Sequence, residues 1–261
     1  MVLWSLVLIG FLAGEYLDHN REKVGLAINV WNSLKQRESI DSVFHLFATD
    51  SWPISGQDEG NGAWTVFSPG GIELWAKVES ESNRININTA PDSQIRTRIH
   101  EIMGEGGIDE ADPLADAILD WRDKDTLVRT NGVEAGFYES RGLSYVPANG
   151  PFKVLTELLL VKGVTPDLFW ADPLADLLRM KEEERDLTTP GLLEAFTIYP
   201  KDVRRVSILV PGKQNGYTLA IAFLEKKHGR WDILQLYRCM LVTSKEEMQL
   251  LVQMEAGIEL S

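Results

Sequence analysis

The chain has 261 residues, of which 39 are acidic and 26 are Lys or Arg, so its formal net charge is −13. A field of that sign repels nucleic-acid phosphates and gains nothing at an anionic membrane surface, whereas it favours hard cations and basic partners. Because Cys239 is the single cysteine, an intrachain disulfide and a cysteine-based zinc site are both excluded.

The chain opens on an apolar run, MVLWSLVLIGFLAG, with no charge before Glu15. As a helix, this run would span about 21 Å, which is short of the roughly 30 Å hydrocarbon core of a bilayer. It lacks the basic n-region and the A-x-A site of a secretory signal peptide. Taken alone, the run leaves two interpretations open: a buried core helix, or a membrane helix whose first residues precede Met1.

Beyond Glu15 the polarity changes but the helical periodicity continues, with no proline before Pro53. We predict one helix over residues 1–50, a membrane anchor that continues as the spine of a soluble domain. We assign Val30, Leu34 and Val43 on its soluble half to packing against a sheet.

The remaining elements follow from turn formers and from the switch between strand and helix periodicity. Strands are predicted at 64–67 and 72–78, on either side of a hairpin at SPGG. Helices are predicted at 92–103, 113–122, 152–161 and 166–180. Strands return at 205–210, 217–225 and 231–240, with a second hairpin at KKHGR, and a capping box at Ser244 begins a short closing helix.

This order of elements predicts an α+β fold with an all-α insertion. We divide the chain into four parts. Residues 1–50 form the membrane anchor and spine helix, and residues 51–87 form the first part of a β domain. Residues 88–196 form an α-helical insertion, and residues 197–261 form the C-terminal strands and closing helix of the β domain.

The sequence carries no motif of a known catalytic site. G-x-S-x-G, the P-loop and H-E-x-x-H are absent, and the four histidines are scattered without ligand spacing. We therefore predict that the protein is not an enzyme.

Two segments, ININTA at 85–90 and LLLVKGV at 158–164, are typical of helix-hairpin-helix modules, in which backbone N–H groups bind phosphate. The surrounding block is rich in acids. A packing role for these segments fits that charge better than DNA binding does.

Four acidic residues, Asp120, Asp123, Asp125 and Glu134, lie close together in ILDWRDKDTLVRTNGVE. Calcium takes six to eight oxygen ligands, often from a loop of about a dozen residues that a bidentate Glu closes. Counted from Asp123 as the first position, Asp125 is third and Glu134 twelfth, although the positions of a further acid and of the turn glycine are not matched. A solvated loop whose acids pair with Arg122, Lys124 and Arg129 is the other interpretation.

Five motifs occur in one order, and together they resemble the K-type minor pseudopilin family of the bacterial type II secretion system, general secretion pathway protein K. The resemblance extends from the VLW of the apolar run to about Tyr199. The motifs are RININTAP at 84–91, ADAILDWRDKD at 115–125, NGVEAGFY at 131–138, YVPANGPF at 145–152 and TELLLVKGVTPDLF at 156–169.

The resemblance implies a pilin-like fold, with a long N-terminal helix on an antiparallel sheet and a large all-α insertion of the helix-hairpin-helix or SAM-like kind. It implies structural Ca²⁺ in that insertion, and by position Asp120, Asp123, Asp125 and Glu134 match the acidic motif of the family. It also implies a minor pseudopilin at the tip of the secretion pseudopilus, which initiates or caps filament assembly.

The implied partners are the I-type and J-type minor pseudopilins, with no nucleic acid. The implied location is the inner membrane, spanned once, with the soluble domain in the periplasm. The alternative function is a membrane-tethered helix-hairpin-helix protein that binds DNA in an uptake system.

The N-terminus departs from the family pattern, because the basic prepilin leader that ends in glycine is absent from the sequence. We expect Met1 to fall inside the mature helix. Arg21 and Lys23 alone would place their end of the helix in the cytoplasm, and a basic leader before Met1 would reverse that orientation. No acid precedes Glu15, and a subunit at the filament tip would not need the early carboxylate that pairs with a neighbouring amine.

Overall fold

The structure, a computed structural model, describes residues 30–31, 33–49, 64–171, 190–211 and 216–242. These residues form two compact units. One, the sheet unit, comprises the described residues up to 79 and from 205 onward, and the other, the helical unit, comprises those between 80 and 204. The combination of helices with an antiparallel sheet confirms the predicted α+β class.

The sheet unit is built on helix α1, which covers residues 33–48. Its apolar side chains at helical spacing, Ile40, Val43, Phe44 and Phe47, are at most 3% exposed and join one core cluster with the sheet. The sheet contributes small and branched side chains to that cluster, such as Ala222. The assignment of Val43 to the sheet is therefore confirmed.

The same assignment is wrong for Val30 and Leu34, which are 60% and 49% exposed. At 3.6 residues per turn, Leu34 lies about 120° around the helix from Ile40, and Val30 lies about 80° from it. Leu34 therefore points away from the face that packs on the sheet, and Val30 lies at the edge of that face. Trp31, beside them, is 61% exposed, with the Lys35 ammonium 5.8 Å from its ring centre.

The five-stranded sheet has the strand order β1-β2-β5-β6-β7. Its members are β1 (Thr65–Phe67), β2 (Leu74–Ser80), β5 (Arg204–Pro211), β6 (Gly216–Lys227) and β7 (Arg230–Val242). The pairs β1–β2 and β6–β7 are antiparallel, as the two predicted hairpins require.

Both hairpin turns use residues in the left-handed region of backbone conformation. The first turn is a short 3-10 helix, Pro69–Gly71, in which Gly70 and Gly71 have φ of 63° and 76°. The second turn places His228 and Gly229 at φ of 52° and 80°, the pattern of a two-residue hairpin turn between twisted strands. The sequences SPGG and KKHGR therefore supply the turns that they predict.

The helical unit contains five α-helices and three short 3-10 helices among the residues that the structure describes in it. The two longest, α2 (Asp92–Met103) and α3 (Ile108–Arg122), are joined by a glycine-rich turn. The remaining α-helices are α4 (Ala135–Ser140), α5 (Pro166–Trp170) and α6 (Leu192–Ala195). The 3-10 helices span Glu81–Asn83, Glu105–Gly107 and Leu155–Leu160.

The predicted helix at 92–103 has the observed bounds, but two other predictions differ from the structure. Helix α3 begins five residues before Pro113, so that this proline lies inside it. The predicted α-helix at 152–161 is instead the last of these 3-10 helices, because only six residues are helical between extended Val154 and Val161. Helix α5 ends at Trp170, and residues 172–180 of that prediction lie outside the described residues.

A two-stranded parallel sheet, which the sequence did not predict, closes the helical unit where the chain enters and leaves it. Strand β3 (Ile85–Asn86) pairs with β4 (Phe196–Thr197). Asn86 Nδ2 donates to the Tyr199 carbonyl at 3.1 Å. Asn88 exchanges two hydrogen bonds with the backbone of Phe152, at 2.9 and 2.8 Å. The asparagines of ININTA thus bind their own unit, in agreement with the packing role.

The apolar run at the N-terminus, the rest of the predicted helix before residue 30 and the predicted closing helix after Ser244 lie outside the described residues. Among the helices of the described ranges, none combines the length and the apolar character that a membrane span needs.

Candidate functional site

Two buried carboxylates, one helical turn apart on α3, hold the acidic loop that follows this helix. Asp116 and Asp120 are 2% and 0% exposed. The Asn131 N–H donates to Asp116 Oδ2 at 3.0 Å, and the Arg129 N–H donates to Asp120 Oδ2 at 3.3 Å. Since residues four apart share a helix face, these carboxylates fix two points of the loop backbone.

Gly132 allows the loop to approach Asp120 closely. A Cβ atom at this position would lie 1.9 Å from Asp120 Oδ2 and 2.7 Å from its Cγ. A Cβ contact under 3.0 Å is a steric clash that proteins essentially never show. The buried Asp120 side chain is held in place and cannot easily move to relieve it. The loop therefore requires glycine at this position.

The guanidinium of Arg129 lies among three carboxylates. Its Nη1 donates to Asp120 Oδ1 at 2.8 Å and also pairs with Asp123 Oδ2, while Nη2 is 3.2 Å from Asp92 Oδ2. Burial acts to lower the pKa of Arg129, but the hydrogen bonds to Asp123 and Asp120 outweigh it and raise the pKa above its ordinary value. Arg129 is therefore a fixed positive charge in the middle of the loop.

Glu134 is 7% exposed, and neither of its carboxyl oxygens has a hydrogen-bond partner of acceptable geometry. Burial raises the pKa of the Glu134 carboxyl, and the nearby charges of Asp120 and Asp123 raise it further. The nearby Ala135 N–H lowers the pKa and so offsets part of that rise, although it does not form a hydrogen bond of good geometry with the carboxylate. A buried carboxylate of this kind lacks a compensating positive charge.

The other two predicted site residues differ in their surroundings. Asp123 follows directly after α3, and its Oδ1 is buried without a hydrogen-bond partner. Asp125 is exposed, and its Oδ1 accepts the Leu127 N–H at 2.8 Å in a local turn. The negative charge of Asp125 makes a further, smaller contribution to the raised pKa of Glu134.

Arg122 connects the end of α3 to the start of α2. Its Nη1 donates to the carbonyls of Ile87 and Ala90 at 2.7 and 2.9 Å, and its Nη2 pairs with Asp92 at 2.7 Å. The interpretation in which Arg122 pairs with the acids of the loop is therefore wrong, because Arg122 pairs with Asp92 of α2.

Aromatic side chains that precede and follow the acidic loop in the sequence pack against one another. Trp121 stacks on Phe152, with ring centres 6.4 Å apart, and meets Tyr138 edge to face at 5.7 Å. The Tyr138 hydroxyl accepts the Lys162 N–H at 3.1 Å, in the turn before α5. These contacts pack the residues that flank the loop into the unit, whereas residues 124–128 of the loop itself are exposed to solvent.

The donor set fits a hard cation, because carboxylate oxygens are the ligands that calcium prefers and three of them are buried without a partner. Their present arrangement is different from that of a bound ion. Within the described ranges, no three His, Cys, Asp or Glu side chains are placed to hold a metal ion. In this structure the guanidinium of Arg129 provides the positive charge at Asp120 and Asp123.

Three residues of the site were missed from the sequence. Asp116 could have been found from its four-residue spacing to Asp120 on a helix. Gly132 could have been found from the Asn-Gly pair, which is typical of tight turns. Asp92 lies 28 residues before Asp120 in the sequence, and no local signal connects the two.

The comparisons with known proteins concern mainly the helical unit. Residues 83–171, which include the whole loop, match the family model described as type II secretion system (T2SS), protein K. No curated protein matches the chain.

A similar solved structure is that of the GspK-GspI-GspJ complex from the enterotoxigenic Escherichia coli type 2 secretion system. The identity is 12%, the TM-score is 0.48, and the match covers 85% of this chain and 99% of the other. That likeness is too distant to carry a conclusion about this chain. Residues 83–171 of this chain are therefore similar to the type II secretion system protein K family.

Proposed function

We propose that the protein is a minor pseudopilin at the tip of the type II secretion pseudopilus, where it initiates or caps filament assembly for export across the outer membrane. Its role is structural, without catalysis. The observation that carries this proposal is the family match over residues 83–171. The match gives no support to a DNA-binding function.

The tip position is supported by the size of the helical unit. Its residues between 80 and 204 form a body with a core of its own. Because protein interiors and filament cores are close-packed, a shaft of regularly stacked subunits has little room for such a body on every copy. A single copy at the end of the filament avoids this steric conflict.

Calcium has a structural role in this proposal. Asp120, Asp123, Asp125 and Glu134 would hold it, and a divalent cation would supply the positive charge that the buried Glu134 carboxylate lacks. The loop connects to both long helices through Asp116, Asp120 and Asp92. An ion bound there would therefore stabilise the helical unit as a whole.

We place the protein in the inner membrane, crossed once by the apolar N-terminal run, with both units in the periplasm. The support is the family match together with the apolar character of residues 1–14. After export from the bilayer into a filament, such a run needs apolar neighbours.

The I-type and J-type minor pseudopilins are the proposed partners, and α1 provides a contact surface for their helices. Val30, Trp31 and Leu34, at the start of α1 and just before it, are each about half exposed or more. Exposed apolar side chains grouped in this way are typical of interfaces.

We expect the full-length chain in detergent to co-elute with its own I-type and J-type partners in size-exclusion chromatography. Changing Trp31 and Leu34 to Ser should weaken that complex by about tenfold or more, since apolar anchors dominate interface energies. Changing Val66 to Ser, which alters an apolar residue of β1 that is 39% exposed, is the matched control. A wild-type chain that elutes separately from both partners would contradict the proposed interaction.

A further inference from the structure

We propose that Arg129 is a built-in cation of the acidic loop, and that calcium binds there only when the guanidinium gives up Asp120 and Asp123. Arg129 would then limit the calcium affinity of the site and keep the loop folded without the ion. This inference rests on the proposed calcium site and adds its regulation by a residue of the chain itself.

Arg129 and a bound calcium ion would compete for the same oxygen atoms. Arg129 Nη1 occupies Asp120 Oδ1 and Asp123 Oδ2, and both residues belong to the predicted ligand set. A carboxylate oxygen that accepts a charge-assisted hydrogen bond has one lone pair fewer for a cation, and that strong bond must be weakened or broken if the cation takes its place. A divalent ion among these carboxylates would also repel the guanidinium at short distance. Both effects oppose simultaneous occupancy.

Arg129 leaves several carboxylate oxygens of the acidic cluster without a hydrogen-bond partner. Glu134 is more than nine-tenths buried, both of its oxygens lack a partner, and it lies near Asp120, Asp123 and Asp125. Asp123 Oδ1 is buried without a partner as well. Of the four carboxylates in the predicted ligand set, only Asp120 and Asp123 pair with the guanidinium, and the unpaired oxygens point to a second state of the site with more positive charge.

If calcium displaces Arg129 from Asp120 and Asp123, the guanidinium can stay paired with Asp92. Its Nη2 already contacts Asp92 at 3.2 Å, and the Asp92 side chain is 49% exposed. Asp92 is outside the predicted ligand set and lies at the first turn of α2. The guanidinium can therefore keep one ion pair near solvent while the backbone N–H of Arg129 stays on Asp120.

The test is the substitution Arg129→Gln in the full-length chain, with calcium affinity measured by isothermal titration and Tm measured with and without calcium. We expect the calcium Kd to fall by about tenfold or more, because a unit charge beside the ion is removed. We expect Tm without calcium to fall, since Asp120 and Asp123 lose their counter-ion. Saturating calcium should then restore more stability to the variant than to the wild type.

Arg96→Gln is the matched control. Arg96 also bridges two carboxylates, pairing with buried Asp116 and contacting Asp112 at 3.6 Å, but neither belongs to the predicted ligand set. This variant should lose stability equally with and without calcium, at an unchanged Kd. If Arg129→Gln behaves in the same way, Arg129 is only a structural ion pair and the inference is overturned.

A wild-type measurement covers the case in which Arg129→Gln does not fold. The guanidinium nitrogen signals of Arg129, assigned by ¹⁵N NMR with the charge-preserving Arg129→Lys variant, should shift on saturation with calcium, while those of Arg96 should not. Unchanged Arg129 signals in a calcium-bound chain would overturn the inference and leave the calcium site intact. A wild-type chain that binds no calcium would overturn the site and the inference together.

Discussion

Replacing Gly132 with alanine should lower the free energy of unfolding by about 3 kcal/mol, the upper part of the range for inserting an atom into a packed site. The new Cβ would lie 1.9 Å from Asp120 Oδ2. Asp120 is fully buried and is held by Arg129 through both the backbone N–H and the guanidinium, so it has little freedom to move. Either the loop or the buried carboxylate must be displaced.

The control for this prediction is four residues away. A Cβ at Gly136, in α4, would meet no atom within 4 Å, so Gly136→Ala should be neutral or stabilise the helix by about 0.5–1 kcal/mol. Urea unfolding of the two variants makes the comparison. Equal stabilities for Gly132→Ala and Gly136→Ala would mean that the loop does not pack on Asp120 as described.

Calcium at about 100 times its Kd should raise the Tm of the full-length chain by roughly 5–10 °C, because a ligand that binds only the folded state stabilises it by about 2.7 kcal/mol at that concentration. The physical reason is the buried, unpartnered Glu134 carboxylate beside Asp120 and Asp123. Magnesium should have a smaller effect, since it gives up its water ligands reluctantly.

Changing Asp123 and Glu134 together to alanine should abolish the calcium effect. The matched control changes Asp109 and Glu139, two exposed carboxylates of the same unit, and removes the same charge away from the loop. That control should keep the full rise in Tm. A calcium-induced shift in the Asp123 and Glu134 variant as large as in the wild type would refute the assignment of these ligands.

Elements with a strong local signal were predictable from the sequence. Both hairpins were found because SPGG and KKHGR place residues in the left-handed region where tight turns need them. The buried face of α1 followed from the spacing of Ile40, Val43, Phe44 and Phe47. Val30 and Leu34 continue the helical spacing of apolar residues, but both are exposed, so the spacing alone misplaced them.

Other elements depend on contacts that a local pattern does not contain. Pro113 is typical of a first helical turn, yet α3 begins at Ile108, where Asp109 and Glu110 favour a helix N-terminus. The parallel pair β3–β4 joins residues more than a hundred positions apart, and each strand has two residues. Strands that short carry no periodicity from which they could be predicted.

The acidic loop, too, was predictable from the sequence only in part. Its four acids were visible in the sequence, and so was the possibility that Arg129 pairs with them. That Asp120 is fully buried, and that Arg122 binds Asp92 and not the loop, depends on how α3 packs against the start of α2. Charge spacing alone could not show that residues 124–128 are exposed while Asp120 and Glu134 are buried.

The position of the protein on assembled pseudopili tests the central claim most directly. The chain would carry a small epitope at Lys201, an exposed residue between β4 and β5, and would be labelled with gold on pseudopili assembled together with the proposed I-type and J-type partners. The account predicts one label per filament, at one end. Labels spaced along the shaft would contradict a tip function.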